Sequence, residues 1–92
     1  MAWLIAYDLC KPEQNYYGVI KTIMDLSGGN CCHCGGSVWL VRTNGLTKEA
    51  IYGKIQMQMD ADDDLLVIEV KENYCSSFNQ DVLWAIHERI FL

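Results

Sequence analysis

The chain has 92 residues, 51% of them hydrophobic, with 7 lysines and arginines against 12 aspartates and glutamates, a formal charge of −5 and an isoelectric point near 4.7. That length predicts one domain, residues 1–92, around a single core, and the charge opposes nonspecific nucleic-acid binding, which draws its affinity from basic side chains that release phosphate counterions. Charged residues interrupt every apolar run before the roughly eighteen positions a membrane helix needs, and the N-terminus shows no basic region with a cleavage site, so a cytoplasmic protein is expected.

Residues 2–9, AWLIAYDL, are apolar on both faces of a strand, the pattern of a central strand covered on each side. Pro12 suits the first turn of a helix whose stripe is Tyr16, Val19, Ile20, Ile23 and Met24, stopped at Ser27-Gly28-Gly29. Residues 30–35 and 37–43 read as strands joined at Gly35-Gly36, a dipeptide suited to the positive φ angles of a tight hairpin. Asn44-Gly45 makes a turn, Thr47 caps a second helix, and Ile51, Ile55 and Met59 mark its buried stripe. The run DADDD then leads into LLVIEVK, the strongest strand signal in the chain. After a polar loop, Val82, Leu83, Ile86 and Ile90 share one face of a last helix, although its final five residues fit a strand equally well.

The order β-α-β-β-α-β predicts a ferredoxin-like α+β sandwich: a four-stranded antiparallel sheet, two helices on one face, and an extra C-terminal helix or strand. On the helix-free face the fourth strand offers either Leu65, Val67 and Glu69 or Leu66, Ile68 and Val70. So large an apolar face predicts a homodimer packed sheet against sheet, sealed in part by the terminal segment.

An odd cysteine count, 5, without a secretory signal points to reduced thiols. Cys31-x-x-Cys34 has the spacing of half a structural zinc site, with Cys10, Cys75 and His87 as candidates for the other half. Cys10 ends the first strand and Cys75 follows its antiparallel neighbour, which puts them at opposite ends of the sheet, so zinc within one chain is not expected. Alternation sends Cys31 and His33 to one face and Cys32 and Cys34 to the other. The expected role of the cluster is that of small, buried strand residues, with zinc across a dimer interface and redox chemistry as alternatives.

Asp8 closes the first strand, and the antiparallel fourth strand starts beside it, led in by Asp60, Asp62, Asp63 and Asp64, with the Gly35-Gly36 turn expected at the same end. Clustered carboxylates suit magnesium or manganese, which need few protein ligands beside water and substrate phosphate. The run is no EF-hand, because the glycine of its bend is missing and Lys71 stands at the twelfth place. The plainer alternative is that Asp60 to Asp64 end a helix and solvate a turn. Asp8, at the end of an apolar central strand, calls for a partner or a metal to offset its desolvation.

LIAYDL followed by a helix, SVWLVRT, a second helix and DDDLLVIEV together resemble the small ferredoxin-like proteins of CRISPR spacer acquisition, the partner of the integrase, and their VapD (virulence-associated protein D) relatives, over about residues 2–72. The match is best at Tyr7 and Asp8. The resemblance implies a homodimer with paired first-strand aspartates that in some members binds a divalent metal and cleaves RNA or DNA, while other members act as structural adaptors. Asp8 of each subunit would then hold magnesium or manganese, and Ser37 or Tyr7 would position the phosphate. Two readings follow. One is a metal-dependent endonuclease with Asp8, Tyr7 and Ser37 at its site. The other is a non-catalytic acidic module whose Asp62, Asp63 and Asp64 occupy a basic site on a protein partner, such as a nucleic-acid-binding component of a defence system.

Overall fold

The computed structural model of the chain describes residues 1–10, 16–74 and 76–92. Its strands are β1 (Ala2–Asp8), β2 (Cys31–Gly35), β3 (Val38–Arg42) and β4 (Asp64–Val70), and its helices are α1 (Tyr16–Ser27), α2 (Lys48–Gln56) and α3 (Gln80–Ile86), the last continued by a π-helical turn over His87–Phe91. The four strands form one sheet in the order β2-β3-β1-β4. Every neighbouring pair is antiparallel, so β1 and β2 run parallel with β3 between them, and β3 and β4 run parallel with β1 between them. The chain therefore folds as two interleaved β-α-β units, and β1 lies in the interior of the sheet as its apolar sequence predicts.

Alternation divides β1 cleanly. Trp3, Ile5 and Tyr7 are buried with Trp39 and Val41 of β3, under Val19 and Ile23 of α1 and Ile51 and Ile55 of α2. In register, Ile5 lies between Trp39 on one side and Val67 on the other. This settles the two options for β4: Leu65 and Val67 pack against the core, while Leu66 and Ile68 face away, 53% and 49% exposed. Tyr16 and Met24, expected in the stripe of α1, are exposed, and Ser27 joins Val19 and Ile23 as a buried residue of that helix. The hydroxyl of Ser27 donates to the Ile23 carbonyl at 2.8 Å, which is how a polar residue sits there at little cost. The expected start of the helix at Pro12 lies outside the described residues.

The hairpin differs from expectation by one residue. Its turn is Gly36-Ser37, Gly35 pairs with Val38, and a bulge between His33 and Gly35 absorbs the shift. Positive φ occurs elsewhere, at Gly28 and Gly29 where α1 ends and at Gly45 before α2. At the far end of the sheet Trp3 Nε1 donates to the buried Thr43 hydroxyl at 2.9 Å, fastening β1 to the end of β3. No buried side-chain nitrogen or oxygen among the described residues lacks a partner.

Thr47 caps α2, its hydroxyl accepting from Ala50 N at 3.1 Å. Thr47→Ala is expected to lower stability by about 1 kcal/mol, read from the midpoint of urea unfolding. The stripe of that helix is Ile51 and Ile55, while Met59 packs against the core from beyond the helix end.

The second face of the sheet is partly covered by the extra C-terminal element, which is the helical one of its two expected forms. The C-terminal segment is helical throughout, not a strand, and it packs over β3 and β2. Ile86 and Ile90 are buried there. Asn79 caps α3 by accepting from Val82 N at 3.0 Å. A cavity of about 480 Å³ remains between this segment and the sheet, with Leu4, Val38, Leu40, Ile86 and Phe91 among its walls. A flat sheet-to-sheet dimer would need the area this helix covers, so the open apolar part of the face is the β4 side, Leu66 and Ile68.

Candidate functional site

The end of the sheet where β1 exits carries the acidic residues. Asp8, the last residue of β1, pairs in register with Asp64, the first of β4. Cross-strand partners project to the same face with Cβ atoms about 4.5–5.5 Å apart. Both residues are exposed, and like charges placed directly opposite repel. On the other flank of β1, Tyr7 N donates to Ser37 O at 3.1 Å, which brings the Gly36-Ser37 turn alongside the same strand end.

The loop before β4 folds back onto this edge. The Asp63 carboxylate accepts from Cys10 N at 2.9 Å and from Asp60 N at 2.8 Å, and the Cys10 thiol donates to Asp62 O at 2.9 Å. Desolvation first, then the carboxylates of Asp62, Asp63, Asp8 and Asp64, push the pKa of the Cys10 thiol up. Those four carboxylates therefore crowd one place. The ion pairs of the described residues, Lys21 with Asp25, Lys48 with Glu49 and His87 with Glu72, lie away from Asp8, Asp62 and Asp64.

The expected site residues separate into three kinds. Asp8 is exposed at the strand end, beside Asp64, as a ligand must be. Ser37 is half-buried in the turn, close to Asp8 through its backbone bond to Tyr7. Tyr7 is different, because alternation turns it to the opposite face from Asp8. It is buried, and its hydroxyl accepts from Trp39 Nε1 at 3.2 Å. Trp39 in turn stacks on His33, ring centroids 4.2 Å apart and 5° from parallel, and His33 Nε2 donates to Gly36 O at 2.7 Å. This aromatic row ties Tyr7 to the hairpin turn, with its hydroxyl engaged on the core side of the edge. Asp63 is half-buried and its carboxylate accepts from the Cys10 amide beyond β1 and the Asp60 amide of its own loop, whereas Asp60, Asp62 and Asp64 are exposed.

Among the described residues no group of three or more histidines, cysteines, aspartates or glutamates is placed to hold a metal ion. Magnesium and manganese do not require one. They bind through one or two carboxylates and fill the remaining positions with water and substrate phosphate, and the Asp8–Asp64 pair fits that donor set. Sequence reasoning brought Asp64 to the same sheet edge as Asp8 but named it for partner binding and Asp8 alone as the metal ligand. Counting back along antiparallel β4 from the middle of β1 is the signal that finds it.

The remaining metal-ligand candidates disperse. Cys31 is buried on the core face and His33 is held by Trp39 and Gly36, whereas Cys32 and Cys34 are half-buried. Cys75 lies outside the described residues. His87 Nδ1 pairs with Glu72 Oε2 at 2.7 Å, fastening the C-terminal helix to the chain just after β4. That hydrogen bond, with the charge of Glu72, raises the His87 pKa above its ordinary 6.5. A raised folded-state value means that the pair stabilises fully below 6.5 and that the contribution is lost as pH rises through the raised value. Thermal unfolding followed across that window should show a falling midpoint in the wild type that His87→Gln flattens.

Comparison with known proteins returns no matching family model, curated protein or solved structure. Among the described residues no helix is long and apolar enough to cross a membrane.

Proposed function

We propose that this is a ferredoxin-like domain acting as a metal-dependent phosphodiesterase on RNA or DNA. The two interleaved β-α-β units support the fold reading: taken from the other edge, the strand order is β4-β1-β3-β2, with the first strand of each unit in the interior. The observation that carries the activity is the register of Asp8 opposite Asp64, two exposed carboxylates on one face with no described cation paired to either. Asp8 and Asp64 would hold a divalent ion that relieves their repulsion, and such an ion would supply Lewis acidity toward a phosphate and a water. Asp8 and Asp64 hold and orient that site, Ser37 sits at its flank to bond a phosphate oxygen, and Tyr7 keeps the strand end rigid from the core side. A homodimer through Leu66 and Ile68 covers the apolar surface left on β4, whose outer edge has no strand neighbour among the described residues.

A second reading, an acidic module for a protein partner with a basic site, draws on the carboxylates of Asp8, Asp62, Asp63 and Asp64 gathered at this edge, which nucleic-acid phosphate would meet. Manganese titration followed by electron paramagnetic resonance separates the two. The enzyme reading expects saturable binding that Asp8→Asn and Asp64→Asn each abolish. The module reading expects no such binding, and instead a salt-dependent loss of partner affinity on Asp62→Lys or Asp64→Lys with Asp8→Asn nearly silent.

A further inference from the structure

Cys32 and Cys34 stand two residues apart on β2, an edge strand of the sheet, and both are half-buried. Cys32 pairs in register with Leu40, whose side chain lines the cavity of the second face, and Cys34 lines the same cavity. The bulge between His33 and Gly35 leaves Cys34 without a partner in the ladder and lets it turn inward. The Cys34 thiol donates to the Cys32 carbonyl at 3.5 Å. Left to itself the thiol stays protonated: burial, then Cys32, push its pKa up to about 11.

We propose that Cys32 and Cys34 form a two-thiolate site for a soft monovalent cation, copper(I). Thiolate sulfur selects copper(I) over harder ions, and a d¹⁰ monovalent ion is content with two such ligands. Zinc is the poorer fit, because a closed zinc site takes four ligands and the two nearest candidates point elsewhere: Cys31 is buried on the opposite face, and His33 is engaged with Trp39 and Gly36. A direct disulfide is also the poorer fit. Residues two apart on a strand have Cα atoms about 6.6–6.8 Å apart, the upper limit of the range of about 4.4–6.8 Å that disulfides span. A bridging ion adds a second bond between the sulfurs and closes that gap without moving the strand. On binding, each thiol gives up one proton to solvent, two copper–sulfur bonds form, and the oxidation states of sulfur and copper do not change.

The test is anaerobic titration of the reduced, full-length protein with copper(I) against bicinchoninate, a coloured competing chelator. One equivalent should be withdrawn from the chelator by the wild type. Cys32→Ser and Cys34→Ser should each weaken binding by roughly 100-fold or more, above the 10–100-fold that groups behind a metal ligand contribute, while Cys10→Ser should leave it unchanged. Alkylation of the wild type followed by mass spectrometry needs no variant: one equivalent of copper(I) should protect Cys32 and Cys34 together and leave Cys10 reactive. Wild-type affinity in both serine variants, or protection that omits this pair, overturns the assignment.

Discussion

Ile5→Ala is expected to lower the free energy of unfolding by about 3–4 kcal/mol, a large part of the roughly 5–14 kcal/mol typical of a domain this long. The side chain is 0% exposed and lies in the middle of β1, between Trp39 and Val67 in register and beneath the two helices of the first layer. Removing three carbons there leaves a void that strands on both sides and helices above cannot jointly close, so the loss is transfer plus cavity. Leu66→Ala, on the neighbouring strand but facing away and 53% exposed, should cost well under half as much. Urea unfolding of both variants is the check. Equal losses would mean that the β4 face is covered in solution, which is the result the homodimer through Leu66 and Ile68 predicts at high protein concentration and not at low.

Asp8→Asn should separate activity from stability. Metal-dependent cleavage is expected to fall by roughly 100-fold or more, since a metal-holding carboxylate should matter more than the groups behind it, which cost 10–100-fold. Stability should stay level or rise by a few tenths of a kcal/mol, because the substitution removes one of two like charges placed opposite each other across the strands. Asp64→Asn should reproduce both effects. The combination is diagnostic: a structural carboxylate would lose stability when neutralised, and a solvated one would change neither quantity. Parallel losses of activity and stability would therefore reassign Asp8 from ligand to brace.

Much of this arrangement is legible in the residues themselves, where a local signal and the global fold agree. AWLIAYDL announces an interior strand because both its faces are apolar, and the sheet indeed puts β1 between β3 and β4. Thr47 marks its helix through a hydroxyl that has one place to go, the Ala50 amide. The pairing of Cys31 with one face and of Cys32 with the other follows from alternation alone. What fails does so for physical reasons. Gly35-Gly36 looks like the turn because glycine tolerates any φ, but the bulge after His33 moves the turn to Gly36-Ser37, and a bulge has no signature in residue type here. The last residues of the chain are open to helix and strand alike, so only the face they must cover decides, and the turn His87–Phe91, with Ile90 buried, packs on β2 and β3 as a helix. Tyr7 next to Asp8 invites a shared role, yet neighbours on a strand point to opposite faces, and the hydroxyl of Tyr7 belongs to Trp39. Asp64, by contrast, is distant in sequence yet foreseeable beside Asp8 from the antiparallel pairing of β1 with β4.

The most direct test of the account is cleavage of single- and double-stranded RNA and DNA by the purified wild type with magnesium, with manganese and with EDTA. The account predicts cutting of at least one of these substrates that requires the divalent ion and stops in EDTA. Intact substrates in every lane, from protein shown to be folded and at its native oligomeric state, would contradict it and leave the acidic edge as a surface for a basic protein partner.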